Sequence, residues 1–282
     1  MLKLNRIRWA LRKFNLPIDK NSLVLDVGSG ATPYPRADVL LDRLTGAEHR
    51  CGEPMMIDRP AVFGNASKMP FRDKAFDFVI ASHVLEHMSK PEEFIKELQR
   101  VAKAGYIETP NAIFERFYPY DIHCLEILDK DGVLYIHKKK GPVEDSFLGT
   151  KKMLEGKTKW AKYMYDSPHM FHTRYYWNDE IKYKISNPEV SSDWIEQINI
   201  QSKEGDIKKS HISTILSWRT LGLEILKKYY NISRSKRLKE FNLLSILVCP
   251  ECHGNLTDEN QRLDCKQCDI SFSHINGIPN FS

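Results

Sequence analysis

The feature that most constrains the fold is a short apolar run followed at once by a glycine turn. Residues 23–27 read Leu-Val-Leu-Asp-Val, and Gly28, Ser29 and Gly30 come directly after them. An apolar run of this length is typical of a strand that is buried on both faces of a parallel sheet. Glycines allow a tight turn and a close approach to a ligand, and the start of a following helix would offer free N–H groups. The pattern therefore predicts a ligand site at the carboxyl end of this strand.

Strand and helix patterns alternate after this turn. Apolar runs over 39–42 and 76–81 predict two more strands, and 106–108 predicts another. Ser89, with Glu92 three residues later, forms a capping box, which predicts that a helix begins there. The alternation predicts an α/β fold with a doubly wound, Rossmann-like sheet that binds its ligand at the carboxyl ends of the strands.

The first residues have the period of an amphipathic helix over 2–14. Its apolar face would consist of Leu4, Ile7, Leu11 and Phe14. We expect this face to pack on the main domain. A peripheral contact with an anionic membrane surface is the alternative, because basic side chains cover much of the rest of the helix.

Beyond residue 112, two hairpin patterns are present. Residues 123–127 and 133–137 flank the turn Asp129-Lys130-Asp131-Gly132, and an aromatic-rich strand pair is expected over 170–185, around Asn178-Asp179. The stretch 151–162 is rich in lysine and is followed by tyrosines, a combination that suits either a solvated face or a contact with nucleic acid.

Four of the six cysteines lie in the last 34 residues. They form two C-x2-C pairs separated by 12 residues, and they are Cys249, Cys252, Cys265 and Cys268. Four thiolates from two tight turns suit a tetrahedral, structural Zn2+ with no open position for catalysis, rather than disulfides or an iron–sulfur cluster. A module of about 40 residues is too small for a sufficient core, so metal binding should supply much of its folding free energy.

The order and spacing of several segments over about 20–112 resemble the class I S-adenosylmethionine-dependent methyltransferases, in the type 11 branch. The segments are 26–30, 64–66, 69–71, 76–80, 83–87, 100–101 and 105–107. The Asp-x-Gly-x-Gly turn alone would not distinguish this family from NAD or flavin domains. The resemblance implies a methyltransferase fold, with S-adenosyl-L-methionine as the cofactor.

The same resemblance implies a role for nine residues around the cofactor. Asp26, Gly28, Ser29 and Gly30 would hold its methionine part, Asp42 its ribose, Asn65 and Ala66 its adenine, and Ser82 and His83 would lie beside the sulfonium. The chain departs from the family pattern at two points. Ala31-Thr32-Pro33 stands where a third glycine is common, and Asn65 replaces an acid at the adenine, where its side-chain oxygen can still accept a hydrogen bond.

Methyl transfer from a sulfonium depends mainly on alignment and needs a general base only when the nucleophile must lose a proton. The candidates for such a role are His83, Glu86, His87, His123 and His172. A purely structural role for each of them, in capping or packing, is the alternative. In such enzymes the segment beyond the shared core, here about 113–200, usually forms the acceptor pocket.

The flanks of the cysteine pairs, 243–248 and 275–281, resemble the Trm112-like zinc-ribbon family. Its members stabilise methyltransferases that modify tRNA, rRNA or proteins. In this chain the module is fused to the methyltransferase region, so an intramolecular scaffold is expected. A fold that only shields an apolar face, or mediates self-association, is the alternative.

The C-terminal part of the chain consists of a basic segment followed by an acidic one. Residues 203–240 contain ten Lys or Arg against four Asp or Glu, whereas 241–282 contain two against five. We therefore predict three units: a methyltransferase domain over 1–200, a basic helical connector over 201–240, and the zinc ribbon over 241–282. The longest apolar run has nine residues, which predicts that the chain has no transmembrane segment. The low cysteine density, with four of the six cysteines near the C-terminus, predicts a reducing compartment and hence a cytoplasmic protein.

The expected function is methyl transfer to an oxygen or nitrogen of a small molecule or glycan intermediate. The chain has no Asn/Asp-Pro-Pro-aromatic tetrapeptide after the fourth strand, and it has no proline-cysteine nucleophile, so the usual nucleic-acid base methylations are disfavoured. An RNA or translation-factor methyltransferase is the second candidate, because of the Trm112-like module and the basic connector. A non-catalytic, cofactor-binding regulatory subunit is the third.

Overall fold

The computed structural model of the protein describes residues 2–43, 55–142, 158–201, 218–259 and 261–282. The strands are β1 Val24–Val27, β2 Val39–Asp42, β3 Ala61–Phe63, β4 Phe76–Ser82, β5 Ala102–Pro110, β6 Leu125–Lys130, β7 Val133–Lys138, β8 His172–Asn178, β9 Tyr183–Ile185, β10 Leu256–Glu259, β11 Arg262–Cys265, β12 Ile270–Ile275 and β13 Ile278–Asn280. The helices are α1 Leu2–Leu11, α2 Pro91–Val101, α3 Ala112–Phe117, α4 Thr158–Asp166, α5 Trp194–Gln201 and α6 Trp218–Arg237.

One large sheet organises the chain, with strand order β10-β11-β12-β13-β3-β2-β1-β4-β5-β8. Its centre is parallel: β1 pairs with β2 and β4, β2 with β3, and β4 with β5. Because α2 connects β4 to the parallel strand β5, these three elements form a β-α-β crossover unit. The predicted Rossmann-like α/β fold is confirmed, and the carboxyl ends of β1, β2, β4 and β5 lie along one edge.

The connection from β1 to β2 differs from the prediction, since it contains no helix. Residues 28–38 form turns and extended chain. Pro33 and Pro35 break up this short segment, and a crossover helix needs about a dozen residues or more. Leu16 and Ile18, from the chain after α1, pack instead against the apolar cluster on this face of the sheet.

The capping-box prediction for α2 is wrong. The helix begins at Pro91, and its N-cap residue Lys90 makes no side-chain cap. Proline at the first helical position fixes the backbone angle that the helix needs. Ser89 instead donates a hydrogen bond to Glu196 Oε1 at 3.4 Å, so it links the start of α2 to α5.

The first hairpin is confirmed, because β6 and β7 pair in antiparallel register. The second predicted pair does not form. β8 adds to the large sheet antiparallel to β5, whereas β9 runs parallel to β7 and completes a separate three-stranded sheet. Tyr175 and Trp177 of β8 are buried against the core, whereas Tyr176 between them is exposed.

The predicted apolar face of α1 is wrong at Ile7 and Leu11. Ile7 and Leu11 are 48% and 40% exposed, whereas Trp9 and Arg12 point towards the sheet and contact residues of β5 and β8. Phe14, just after the helix, lies 5.8 Å from the Tyr230 ring of α6. The side chain of Leu4 lies outside the described part of the structure. No helix within the described residues has the length and apolar character that crossing a membrane requires.

The cysteine-containing module forms an antiparallel sheet of four strands, β10 to β13, that continues the large sheet. The junction is between β13 and β3, where Asn280 pairs with Phe63. Two further backbone hydrogen bonds join the module to the main domain. Phe281 N donates to Phe63 O at 2.8 Å, and Val248 N donates to Pro70 O at 3.0 Å. The module is therefore bonded to the main sheet through the backbone.

Candidate functional site

The glycine turn after β1 has the geometry that a close-bound ligand requires. Gly28 and Gly30 adopt φ angles of +66° and +53°, in the left-handed region that favours glycine. A Cβ at Gly28 would lie only 2.4 Å from Val84 Cγ2, so no larger residue fits there without a shift. The turn is also fastened to β2, because Gly30 N donates to Asp42 Oδ2 at 2.9 Å.

Polar groups around this turn are buried and lack partners. The Ser29 hydroxyl and the Tyr34 hydroxyl have no hydrogen-bond partner within the described structure, although both are buried. A buried hydroxyl without a partner costs free energy, so such groups point to a ligand. The Asp26 carboxylate accepts a hydrogen bond from Tyr34 N at 2.7 Å, and burial raises the pKa of Asp26 to about 6.

Asn65 and Ala66 follow β3 and lie close to Asp42. Gly64 N donates to Asp42 O at 3.0 Å, which brings the two segments together. The Asn65 side-chain oxygen accepts from Ser67 N at 2.9 Å, so one of its two lone pairs is already used in the local turn. Both residues are half-buried.

Ser82 and His83 stand at the end of β4, where they meet Glu108 of β5. His83 has φ +59°, and its backbone N–H donates to Glu108 O at 2.7 Å. Ser82 Oγ donates to Glu108 Oε1 at 3.3 Å. Glu108 is completely buried and also accepts hydrogen bonds from Arg12 and from the Tyr106 hydroxyl.

This set of partners fixes the charge of Glu108 and His83. Burial alone would raise the pKa of Glu108, but the hydrogen bonds from Arg12 and the nearby His83 ring hold it well below its usual range. Burial would lower the pKa of His83, yet Glu108 and Glu86 raise it to about 9. Because His83 is then an imidazolium at neutral pH, it can donate a hydrogen bond but cannot accept a proton.

His172, at the start of β8, lies on the same side of the sheet edge. Its ring centroid is 5.3 Å from that of His83 and 4.7 Å from that of Trp9, and its Nδ1 donates to Pro168 O at 2.8 Å. Burial lowers the pKa of His172. Trp9 and Arg12 were missed by the sequence reasoning, because a single Arg and a single Trp on a short helix carry no pattern that identifies their contacts.

The remaining candidates form a second cluster. Glu86 and His87 belong to a short 3-10 turn after β4, and His123 precedes β6. His87 Nδ1 donates to Ile122 O at 2.7 Å, and His123 Nδ1 hydrogen-bonds Glu115. Burial would raise the pKa of Glu86, but His83 and His87 lower it to about 2. Burial lowers the pKa of His87.

Beyond β5, aromatic side chains surround this edge of the sheet. Phe114 of α3 contacts Tyr118, Tyr120 and Phe171, with ring centroids about 6 Å apart. Several apolar residues of this region are exposed, and they are Ile113, Phe117, Tyr120, Ile122, Tyr163 and Met170. A surface of this kind suits a partly apolar acceptor. Residues 143–157, which belong to the predicted acceptor region, lie outside the described residues.

The four C-terminal cysteines are brought together. One sulfur from each of them lies within 4.8 Å of the others, with Cys249 and Cys268 at 3.5 Å and Cys252 and Cys265 at 3.4 Å. A tetrahedron of Zn–S bonds has sulfurs about 3.8 Å apart. The cluster is thus compatible with zinc.

The basic connector presents fewer free cations than its sequence suggests. Residues 202–217 and the side chain of Lys227 lie outside the described part of the chain. In α6, Arg234 is buried and contacts Asp58 Oδ2 at 3.4 Å, and Arg237 pairs with Asp38. These two arginines dock the helix on the main sheet, whereas Lys228 and Lys236 are exposed.

Comparison with known proteins agrees with this geometry. Residues 38–107 match the family model described as a methyltransferase domain, and residues 240–273 match the model of the Trm112p-like proteins. The chain thus carries a methyltransferase domain of the type 11 class. It carries a Trm112-like module as its C-terminal part.

Individual relatives match only in part. Over 42 residues the chain is 48% identical to an ajmaline N-methyltransferase of Rauvolfia serpentina, covering 15% of this chain and 14% of that protein. Over 108 residues it is 30% identical to the ubiquinone/menaquinone biosynthesis C-methyltransferase UbiE of Xylella fastidiosa, covering 34% and 43%. The chain therefore spans less than half the length of these curated relatives. A solved complex that contains the Haloferax volcanii Trm112 methyltransferase activator matches at 14% identity and TM-score 0.37, covering 60% of this chain and 87% of that one.

Proposed function

We propose that the protein is an S-adenosyl-L-methionine-dependent methyltransferase that acts on an oxygen or nitrogen of a small molecule or glycan intermediate. The observation that carries the proposal is the glycine turn of a methyltransferase domain with two buried, unpartnered hydroxyls, Ser29 and Tyr34, at the carboxyl ends of the strands. We also propose the division into a methyltransferase domain over 1–200, a connector over 201–240 and a zinc ribbon over 241–282.

The residues at this edge fit the cofactor. We assign the methionine part to Asp26, Gly28, Ser29 and Gly30, the ribose to Asp42, the adenine to Asn65 and Ala66, and the neighbourhood of the sulfonium to Ser82 and His83. Asp42 already orients the turn through Gly30 N, and its carboxylate lies next to the segment that begins at Gly64. When bound, the cofactor supplies an electrophilic methyl group whose transfer needs no further activation.

The contribution of the chain is then alignment and charge. Ion pairs with Glu86 and Glu108, at 3.3 Å and 3.6 Å, keep His83 protonated, so it would position an acceptor oxygen rather than remove its proton. His172 has a lowered pKa and is the better candidate for accepting a proton from the acceptor. The exposed aromatic surface beyond β5 would bind the apolar part of the acceptor.

An RNA or translation-factor substrate is the second candidate, and the Trm112-like match is the observation that favours it. Against it, Arg234 and Arg237 of the connector are paired with Asp58 and Asp38, so that Lys228 and Lys236 are the exposed cations among the described side chains of α6. The cysteine cluster is assigned to one structural Zn2+ in either case.

The test is calorimetric titration with S-adenosylhomocysteine, followed by methyl-transfer assays with labelled cofactor. We expect micromolar binding, and we expect label to enter a small-molecule or glycan fraction rather than RNA. Label in RNA that is lost when Lys228 and Lys236 are changed to Gln would favour the second candidate, with a steep salt dependence as its mark. Absence of binding would refute the proposal and leave a scaffold role.

A further inference from the structure

Three potential metal-binding side chains outside the cysteine cluster meet at one point. Glu86, His87 and His123 each offer one ligand atom, and these atoms lie within 4.8 Å of one another. Their arrangement is set by the backbone. Glu86 and His87 are consecutive in the 3-10 turn after β4, and Cys124 N donates to Glu86 O at 2.8 Å, which fixes His123 beside that turn.

Both histidines are oriented by a hydrogen bond at Nδ1. His87 Nδ1 is bonded to the Ile122 carbonyl, and His123 Nδ1 is bonded to the Glu115 carboxylate. Lys139 Nζ holds the other Glu115 oxygen at 2.8 Å. The Nε2 atom of each ring is therefore left to coordinate, and a carboxylate or carbonyl behind a histidine is the usual support of a metal ligand.

The third donor is a buried carboxylate without hydrogen bonds. Glu86 is 1% exposed, and neither of its carboxylate oxygens accepts a hydrogen bond within the described structure. His83 Nδ1 lies 3.3 Å from Oε1, which is an ion-pair distance without hydrogen-bond geometry. The His83 imidazolium balances the charge of Glu86, but the carboxylate oxygens remain without hydrogen bonds, and a bound metal ion would satisfy them.

We propose that Glu86, His87 and His123 bind one divalent transition-metal ion, with Glu115 and the Ile122 carbonyl as orienting groups. Two imidazoles and one carboxylate suit Mn2+, Fe2+ or Zn2+ and leave coordination positions for oxygen ligands. This site differs in chemistry from the four thiolates, which select zinc. It adjoins His83 through Glu86, so the ion would lie beside the methyl-transfer site, but its existence does not depend on the proposed function.

The test uses the full chain with its cysteine site loaded with zinc. Mn2+ and Zn2+ are titrated separately by calorimetry, and the free Mn2+ signal is followed by electron paramagnetic resonance. We expect one further ion per chain for at least one of the two metals. His87→Asn and His123→Asn should each weaken that binding at least tenfold. His137→Asn is the matched control and should leave it unchanged, because His137 bonds Ser186 through Nδ1 and is not part of this cluster.

The result that would overturn the inference is no further ion with either metal, or equal binding by the two cluster variants and the wild type. Circular dichroism identifies a variant that fails to fold, and Glu115→Gln then provides a milder change that should weaken binding without removing a ligand. S-Adenosylhomocysteine binding is measured on the same samples. Cofactor binding without a second metal refutes only this inference, and a second metal without cofactor binding refutes only the proposed function.

Discussion

Arg12 and Glu108 are 96 residues apart in sequence and form a buried pair, with Arg12 Nε 2.6 Å from Glu108 Oε2. The contact ties the chain after α1 to the end of β5. Breaking a buried pair leaves an uncompensated charge, so we expect Arg12→Gln to lower the free energy of unfolding by about 3 kcal/mol. Urea denaturation measures this change. Arg8→Gln is the matched control, because Arg8 is an exposed arginine of the preceding helix α1, and an equal effect of both variants would contradict the role assigned to the pair.

Asp26 should make cofactor binding depend on pH. Its pKa is about 6, because burial disfavours the carboxylate. Pairing with the ammonium group of a ligand needs the ionised form, so affinity should be constant well above pH 6 and should fall as pH drops through that value. The expected loss approaches about tenfold per pH unit below the pKa. Calorimetry with S-adenosylhomocysteine between pH 5 and pH 8 measures it, and Asp26→Asn should abolish the pH dependence and weaken binding throughout.

Gly28 offers a test of the close approach to Val84. Gly28→Ala combines a strained φ of +66° with a Cβ placed 2.4 Å from Val84 Cγ2. Gly132→Ala is the matched control, since Gly132 has φ +73° and nothing within 4 Å of a Cβ. The control should lose about 1 kcal/mol of stability, and Gly28→Ala should lose clearly more. Thermal unfolding measures both, and Val84→Ala should recover part of the difference. Equal losses at the two glycines would rule out the contact as the cause.

Removal of one thiolate should release the zinc. Cys249→Ser takes away one of four sulfurs that converge within 4.8 Å, so zinc content should fall from about one ion per chain to far less. Metal analysis after dialysis measures the loss. Cys124→Ser is the matched control, because Cys124 is buried elsewhere and should keep the ion. Unchanged zinc in the Cys249 variant would refute the assignment.

Local sequence patterns predicted much of this fold. The apolar runs gave β1, β2 and β4, and the spacing of the cysteines gave a convergent cluster, since both depend on neighbouring residues. The β1 to β2 connection was mispredicted, because the glycine turn is usually followed by a helix and the short, proline-containing segment here forms turns. The pairing of β8 with β5, rather than with β9, depends on contacts between distant segments, which a local pattern does not contain.

The candidate site, like the fold, was predicted from the sequence only in part. Asp26, Gly28, Gly30 and Asp42 were predicted to lie together, and backbone hydrogen bonds bring β1 and β2 side by side at that turn. The contact of Trp9 with His172 and the support of His123 by Glu115 were not predicted. Each of them joins single residues on separate elements, and neither leaves a repeating pattern in the sequence.

The junction between β13 and β3 has a consequence for solubility. Without the C-terminal module, β3 would end the sheet with unpaired N–H and C=O groups and with apolar side chains at Ala61, Val62 and Phe63. Open strands of this kind pair with other chains and aggregate. The C-terminal module thus covers this edge of the sheet, and we expect a chain that lost the fold of the module to aggregate while its parallel core was still folded.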